Sequence, residues 1–581
     1  MEERDDRQRS GLGVRAARAT RWAAFTDAVR GRRGRRSQWN RLATWVMLSA
    51  LVVGPWLSPV QGELPVPPAR KQNVLLIIVD DLKPAIGAYG DDLAKTPVMD
   101  ERIAKDGFVF TNHHCQSAEC APSRASMLSG LRPTQNRIFH FEPKFRALNK
   151  KLVTLPGWFR KHGYTSVGSG KIFDATSFGP RFKEFRTTPD LCTAKKIKKG
   201  VECSWDSMPS IQQTRMSKSL PRKIAFAPKK KGKNKIVAGE GALEEMIDFA
   251  VAHGAINTLK TIEEPFFLAV GFLKPHLPFF AASSFMEDRP VSDFMTMAAQ
   301  TIRSVPKEFF KKTSHTYLRS NNREFNAAVN GFKSSTPAQL IHGYYACVTQ
   351  TDHLIGKVLD TLDSRPEVAY NTVVVLWGDH GYHLGDHGMW GKKTLWEQAT
   401  RSPLIIKPSQ AYRDANPTML DRAEIPHPTE SVDIYPTLAH MAGIGQGLPA
   451  MAGETLEPFF FRVNAGVGYE DDDDARLLSD SGGVAAISQY EPYGKKKIMG
   501  FSVRFRNTRA MMFYQLKGKE VKFGKPRLEV ELYDLEADPA ESIRVKDASL
   551  LAKVNDFSSK AASASWDQSS FVEAFGGAAI P

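Results

Sequence analysis

The sequence predicts an α/β protein, with a mainly parallel central sheet flanked by helices and a smaller carboxy-terminal subdomain on an antiparallel sheet. Three observations carry this. Continuous apolar runs at 73–79, 265–272 and 372–377, rich in β-branched or aromatic residues, read as strands buried on both faces. Helical patterns separate them: across 339–362, Leu340, Tyr344, Cys347, Val348, Ile355 and Leu359 recur at helical spacing. Beyond about residue 475, polar and apolar residues alternate in short segments at 497–506, 510–514 and 529–535, the pattern of an antiparallel sheet.

A chain of 581 residues has room for one large domain and a smaller one. Its amino-terminal portion stands apart. Residues 1–43 hold twelve Arg and five acidic residues, so seven of the sixteen net positive charges lie in one arm. With no zinc-finger spacing or aromatic RNA-binding strand, this charge is not a nucleic-acid signature. The uncharged apolar run 42–54 follows the arginines and precedes Pro55, as in a secretory signal peptide or an uncleaved signal anchor. A membrane is a partner only in the second case. The expected division is 1–70 for the arm, signal and Pro-rich linker, and 71–475 for the catalytic domain. The subdomain follows at 476–558, then an Ala/Ser-rich tail at 559–581. The acidic run 469–474 reads as a solvated loop at the boundary. Cys192 and Cys203 bracket a short polar loop and are placed to close a disulfide in a secretory compartment, whereas Cys115 and Cys347 read as buried thiols.

Sites in parallel α/β sheets gather at the carboxyl ends of strands. Here the three strands end in Asp80-Asp81, Lys274-Pro275-His276 and Asp379-His380. A single Asp after a strand is usually a turn or cap residue. Pairs on two separate strands point instead to a cation, because three converging carboxylates repel and a hard divalent ion such as Ca²⁺ relieves that repulsion. Pro122 suits the first position of a helix running through Ser123, Arg124, Met127 and Leu128. That helix start, with the Arg124 guanidinium, would attract an anion beside Cys120. A thiolate is a poor partner for a hard cation, so Cys120 is either an ordinary helix-start cysteine or is converted to an oxygen species.

The segment Cys120-Ala121-Pro122-Ser123-Arg124, followed by Leu128-Ser129-Gly130, resembles the signature of the formylglycine-dependent sulfatases, members of the alkaline phosphatase-like superfamily. The resemblance extends from about residue 73 to about 541. It is strongest to the iduronate 2-sulfatase-like branch, through Val79-Asp80-Asp81, Gly170-Lys171-Ile172-Phe173, Lys274-Pro275-His276 and Gly378-Asp379-His380-Gly381. It implies an alkaline phosphatase-like fold and hydrolysis of sulfate esters on a sulfated saccharide or glycosaminoglycan-like polysaccharide. Cys120 would be oxidised to formylglycine by a formylglycine-generating enzyme. By the same resemblance Asp80, Asp81, Asp379, His380 and modified Cys120 would surround one Ca²⁺. Arg124, Lys171 and Lys392 would hold the sulfate oxygens, and His276 would lie near the leaving oxygen.

The branch usually carries His three residues after the motif lysine, where this chain has Asp174. A carboxylate beside sulfate has a raised pKa and would serve as an imperfect base, or point away. His383 and His387 have helical spacing, but Gly385 and Gly388 argue for a loop, and neither is assigned a metal. Lys229–Lys235 would meet an anionic polysaccharide or simply be solvated. Two rival functions fit the same residues: a phosphodiesterase or phosphonate monoester hydrolase on this fold, and a catalytically impaired protein that binds sulfated glycans. Everything past the apolar run is expected in the secretory pathway, secreted, lysosome-like or lumenal.

Overall fold

The computed structural model describes residues 68–141, 145–173, 190–199, 202–207, 222–225, 237–303, 336–461, 485–491, 498–505, 507–517, 520–522, 530–541 and 543. The expected arm and signal, Asp174, the lysines at 229–235, the acidic run and the tail lie outside them. Among the described residues no helix is long and apolar enough to cross a membrane.

Seven strands form the central sheet: β1 (Asn73–Val79), β2 (Phe108–Phe110), β3 (Thr165–Gly170), β4 (Phe266–Phe272), β5 (Thr372–Gly378), β6 (Leu404–Lys407) and β7 (Ala423–Ile425). Their order across the sheet is β7-β2-β6-β5-β1-β4-β3. The most apolar strand, β1, sits between β5 and β4 in parallel register, with Leu76 opposite both Val375 and Ala269. Side chains of a strand alternate between faces, so Leu75, Ile77 and Val79 enter one apolar layer and Val74, Leu76 and Ile78 the other. The first layer contains α2 (Ile247–Leu259) and α3 (Thr336–Asp363); the second contains α1 (Cys120–Ser129) and α4 (Ile434–Met441). Covering on both faces is why these strands read as unbroken apolar runs.

The sheet is not wholly parallel: β6 runs antiparallel to both β5 and β2. A four-residue strand carries too little pattern for its direction to be read from sequence. Helix α1 also begins two residues earlier than Pro122 suggests. The Ser123 N–H donates to Glu119 O at 3.0 Å, which closes a first turn starting at Cys120. Pro122 is tolerated there because first-turn N–H groups have no partner within the helix.

The carboxy-terminal sheet is antiparallel: β8 (Ala485–Tyr490), β9 (Ile498–Phe505), β10 (Thr508–Lys517) and β11 (Glu520–Lys522) in order, with β12 (Glu531–Asp534) paired to β10. Its apolar face (Tyr490, Ile498, Met511, Phe513, Tyr533) packs on Met389, Leu395 and Trp396, which lie between β5 and β6 in the chain. Cys192 and Cys203 are joined by a disulfide, while Cys115, Cys120 and Cys347 are buried and unbridged.

Candidate active site

Because β1 and β5 are adjacent and parallel, their carboxyl ends deliver Asp80-Asp81 and Asp379-His380 to one place. The Asp379 N–H donates to Val79 O at 3.3 Å, and the Asp81 N–H donates to Asp379 Oδ1 at 2.9 Å. Asp81 has a φ of 61°, a conformation L-residues rarely adopt, and is held there by Tyr344. The Tyr344 hydroxyl donates to Asp81 O at 2.8 Å and accepts from the Lys83 N–H at 2.9 Å.

Helix α1 aims its first residue into the same cage. Cys120 Sγ lies 3.0 Å from Lys392 Nζ and 3.6 Å from Lys171 Nζ. Each lysine also bonds a carboxylate at 2.5 Å, Lys171 to Asp80 and Lys392 to Asp81. One turn along α1, the Arg124 guanidinium is fully buried. Its Nε donates to Asp379 Oδ2 at 2.8 Å, its Nη2 to Asp80 Oδ1 at 3.1 Å, and its Nη1 to the carbonyls of Lys171 and Ile172. Four of its five N–H groups are thus engaged by the protein. The resemblance implies that Arg124 holds sulfate; here its donors point at the carboxylates that need neutralising. His276 Nε2 faces the cage 4.0 Å from Asp81 Oδ2, and its Nδ1 donates to Leu277 O at 2.7 Å.

Three carboxylates and three cations therefore share one buried space. Burial raises the Asp80 pKa, but Lys171, His276, Arg124 and Lys392 outweigh it and hold Asp80 well below the usual range. For Asp379, burial and the nearby Asp80 win over His380 and Arg124, and its pKa is raised. Burial, followed by the Asp80 carboxylate, pushes the Cys120 thiol well above its ordinary value despite the two lysines.

The residues fit a divalent cation. His380 Nδ1 donates to Gly381 O at 2.9 Å, which leaves Nε2 as a lone pair. That Nε2 is buried, has no hydrogen-bond partner, and lies 3.5 Å from Asp81 Oδ1 and 3.6 Å from Asp379 Oδ2. Donor atoms of Asp80, Cys120, Asp379 and His380 fall within 4.8 Å of one another, as do those of Asp80, Asp81, Cys120 and His276. Each group brings two carboxylates, which suit a hard ion, beside one imidazole and the Cys120 sulfur. His383 and His387 are engaged elsewhere, by Thr394 Oγ1 and Glu541 O.

Two supports had no sequence signal, since each joins residues far apart. Both carboxylate oxygens of Asp248, in the first turn of α2, accept the N–H groups of Leu273 and Lys274 at 2.7 Å and so fix the turn that carries His276. Burial pushes the Asp248 pKa from 3.8 up to about 6, against the two amide donors. The folded state then binds this proton more tightly than the unfolded chain. Its contribution to stability is full below the ordinary value and is lost as pH rises through the raised one. Relative to Asp248→Asn, the wild type is expected to lose roughly 2 kcal/mol between about pH 4 and pH 7, read from urea midpoints at both.

The second support is Gly271, where β4 meets β3. A Cβ there would lie 1.9 Å from Lys171 O, one of the carbonyls that hold Arg124. Gly271→Ala is expected to cost about 1–3 kcal/mol by overpacking. It should also lower kcat/KM, since the displaced backbone belongs to Lys171; denaturation and turnover together check this.

Comparison with known proteins gives the family. The sulfatase family pattern matches residues 72–444. A sulfatase of Formosa agariphila is 32% identical over 395 residues, 64% of this chain and 70% of that protein. An iduronate 2-sulfatase of Mus musculus is 30% identical over 406 residues, 64% of this chain and 69% of that one. Among solved structures, a phosphonate monoester hydrolase of Agrobacterium radiobacter shares the fold, with a TM-score of 0.61 at 21% identity over 85% of this chain and 95% of that one. The family match takes in the whole central sheet and every member of the carboxylate, lysine and cysteine cage. The chain belongs to the sulfatase family, sulfuric ester hydrolases of alkaline phosphatase-like fold.

Proposed function

We propose that this sulfatase removes sulfate from a sulfated saccharide, with Cys120 converted to formylglycine and Ca²⁺ held by Asp80, Asp81, Asp379 and His380. The observation that carries the reading is the setting of Cys120. Its sulfur touches both lysines inside a cage of carboxylates suited to a hard cation, where an oxygen atom fits and a soft sulfur does not. When present, the hydrated aldehyde supplies a hydroxyl that attacks sulfur, and the cation supplies positive charge against the sulfate oxygens.

The chain's own groups do the rest. Lys171 and Lys392 each reach both a carboxylate and position 120, so they hold an anion beside the attacking atom. Arg124 fixes the Asp80 and Asp379 carboxylates. His276, at 31% side-chain exposure, stands at the mouth with Nδ1 spent on Leu277 O and the Nε2 lone pair inward, placed to take up a proton released in the attack and return it to the departing alcohol. The relative named for iduronate 2-sulfate supports a sugar substrate. The Cys192–Cys203 disulfide supports maturation in an oxidising, secretory compartment, where a formylglycine-generating enzyme would act on Cys120.

Chelation followed by return of Ca²⁺ is expected to abolish and restore turnover. It should also stabilise the fold by about 2.7 kcal/mol at a hundredfold excess over Kd, read as a Tm shift. The substrate is tested with a panel of sulfated oligosaccharides alongside an aryl sulfate and an aryl phosphodiester. Preferential hydrolysis of the phosphodiester would sink the proposal in favour of the phosphonate and phosphodiester reading that the shared fold allows. Binding of sulfated glycans with no sulfate released would sink it in favour of a binding protein.

A further inference from the structure

Lys392 follows the short hairpin His383–Leu384/Trp390–Gly391, which hangs beyond β5 and has no place in the central sheet. Its support comes from the carboxy-terminal subdomain. Met389, Leu395 and Trp396, on either side of Lys392, share one apolar cluster with Tyr490, Ile498, Met511, Phe513 and Tyr533. The fit is close: a Cβ on Gly500 of β9 would lie 2.8 Å from Leu395 Cδ1.

Polar contacts then converge on one acidic residue. Glu541 follows the turn after β12 and is fully buried, with a φ of 51°. That backbone state is costly for a residue with a side chain and persists only where its surroundings hold it. One carboxylate oxygen of Glu541 accepts the Glu397 N–H at 2.8 Å, and the other pairs with Arg509 Nε at 2.7 Å. Its carbonyl meets His387 Nε2 at 3.3 Å, and the His387 ring stacks on Trp396 with centroids 5.0 Å apart. Arg509 extends the clamp from β10, donating to Leu395 O at 3.0 Å and Thr400 Oγ1 at 3.1 Å and pairing with Glu397. Glu541 thus grips the chain at 387 and at 397, on both sides of Lys392.

We propose that Glu541 is a positioning residue for Lys392, and that the carboxy-terminal subdomain serves catalysis by fixing the segment 387–397 through it. The proposal rests on Lys392 acting on the sulfate ester, as argued above.

The test measures kcat/KM for an aryl sulfate with Glu541→Ala, Glu541→Gln and Arg509→Lys, each in the wild-type and Lys392→Ala backgrounds, with backbone hydrogen exchange across 387–397. Glu541→Ala is expected to lower kcat/KM about 10- to 100-fold in the wild type, as loss of an orienting partner does. It should change it by less than about twofold where Lys392 is already absent, since coupled residues are not additive. Exchange should quicken across 387–397 and stay unchanged in β1 and β5. Glu541→Gln keeps an acceptor for Glu397 and should recover most of the rate; with Arg509→Lys it carries the same cycle if the alanine variant does not fold. Equal losses in both backgrounds, or exchange that does not change, would overturn the proposal. If the wild type releases sulfate from neither the aryl sulfate nor any sulfated oligosaccharide, it is the sulfatase reading of Lys392 that fails, and the exchange measurement still decides whether Glu541 holds its segment.

Discussion

Replacing Cys120 by alanine is expected to remove turnover, lowering kcat/KM by on the order of 10⁴- to 10⁶-fold, as loss of a nucleophile does elsewhere. The fold should survive. The Cys120 sulfur is touched by Lys171 and Lys392, and both ammoniums keep their carboxylates when it is gone. Inorganic sulfate should still bind, because the cations that would hold it remain. The paired measurement is the mass of the peptide containing residue 120, prepared from the native host: it should be lighter than the cysteine form by the difference between thiol and aldehyde. A variant that kept a tenth of the rate, or an active protein with an intact thiol, would end the formylglycine reading.

The residues at the strand ends were legible because geometry there follows from pattern. A run apolar on every residue must be covered on both faces, such strands run parallel, and their carboxyl ends then converge. That Asp80-Asp81 and Asp379-His380 meet follows from that logic; their assignment as one ligand set comes from the resemblance to the sulfatases. The direction in which a side chain points does not follow from pattern. Arg124 lies one turn beyond Cys120 in any helical reading, yet only the packed site shows its donors spent on Asp80, Asp379 and two carbonyls. Asp248, Tyr344 and Glu541 were invisible for a related reason. Each acts on a backbone group more than twenty residues away, and no local spacing encodes such a partner. The antiparallel β6 and strands β8 and β11 are short, and a short strand carries too few alternations to set its pairing. Asp174, the one departure from the branch pattern, lies outside the described residues.

Arg124→Lys is expected to have the second largest effect, and its character separates two roles for the guanidinium. Lysine keeps the charge but has three donors on one nitrogen, which cannot span Asp379, Asp80 and two carbonyls at once. Breaking one partner of a buried ion cluster costs about 3–5 kcal/mol, so Tm should fall sharply in the metal-free protein. If Arg124 chiefly orients carboxylates, Ca²⁺ affinity should drop about 10- to 100-fold and turnover should recover in part at high Ca²⁺. If Arg124 instead holds the sulfate, inhibition by inorganic sulfate should weaken by a similar factor, with Ca²⁺ affinity unchanged and no rescue by the ion. The first outcome is expected, because the guanidinium bonds both carboxylates, at 2.8 and 3.1 Å, and gives its remaining engaged donors to two carbonyls. The lysines, each bridging a carboxylate and position 120, are the cations better placed to turn toward a substrate.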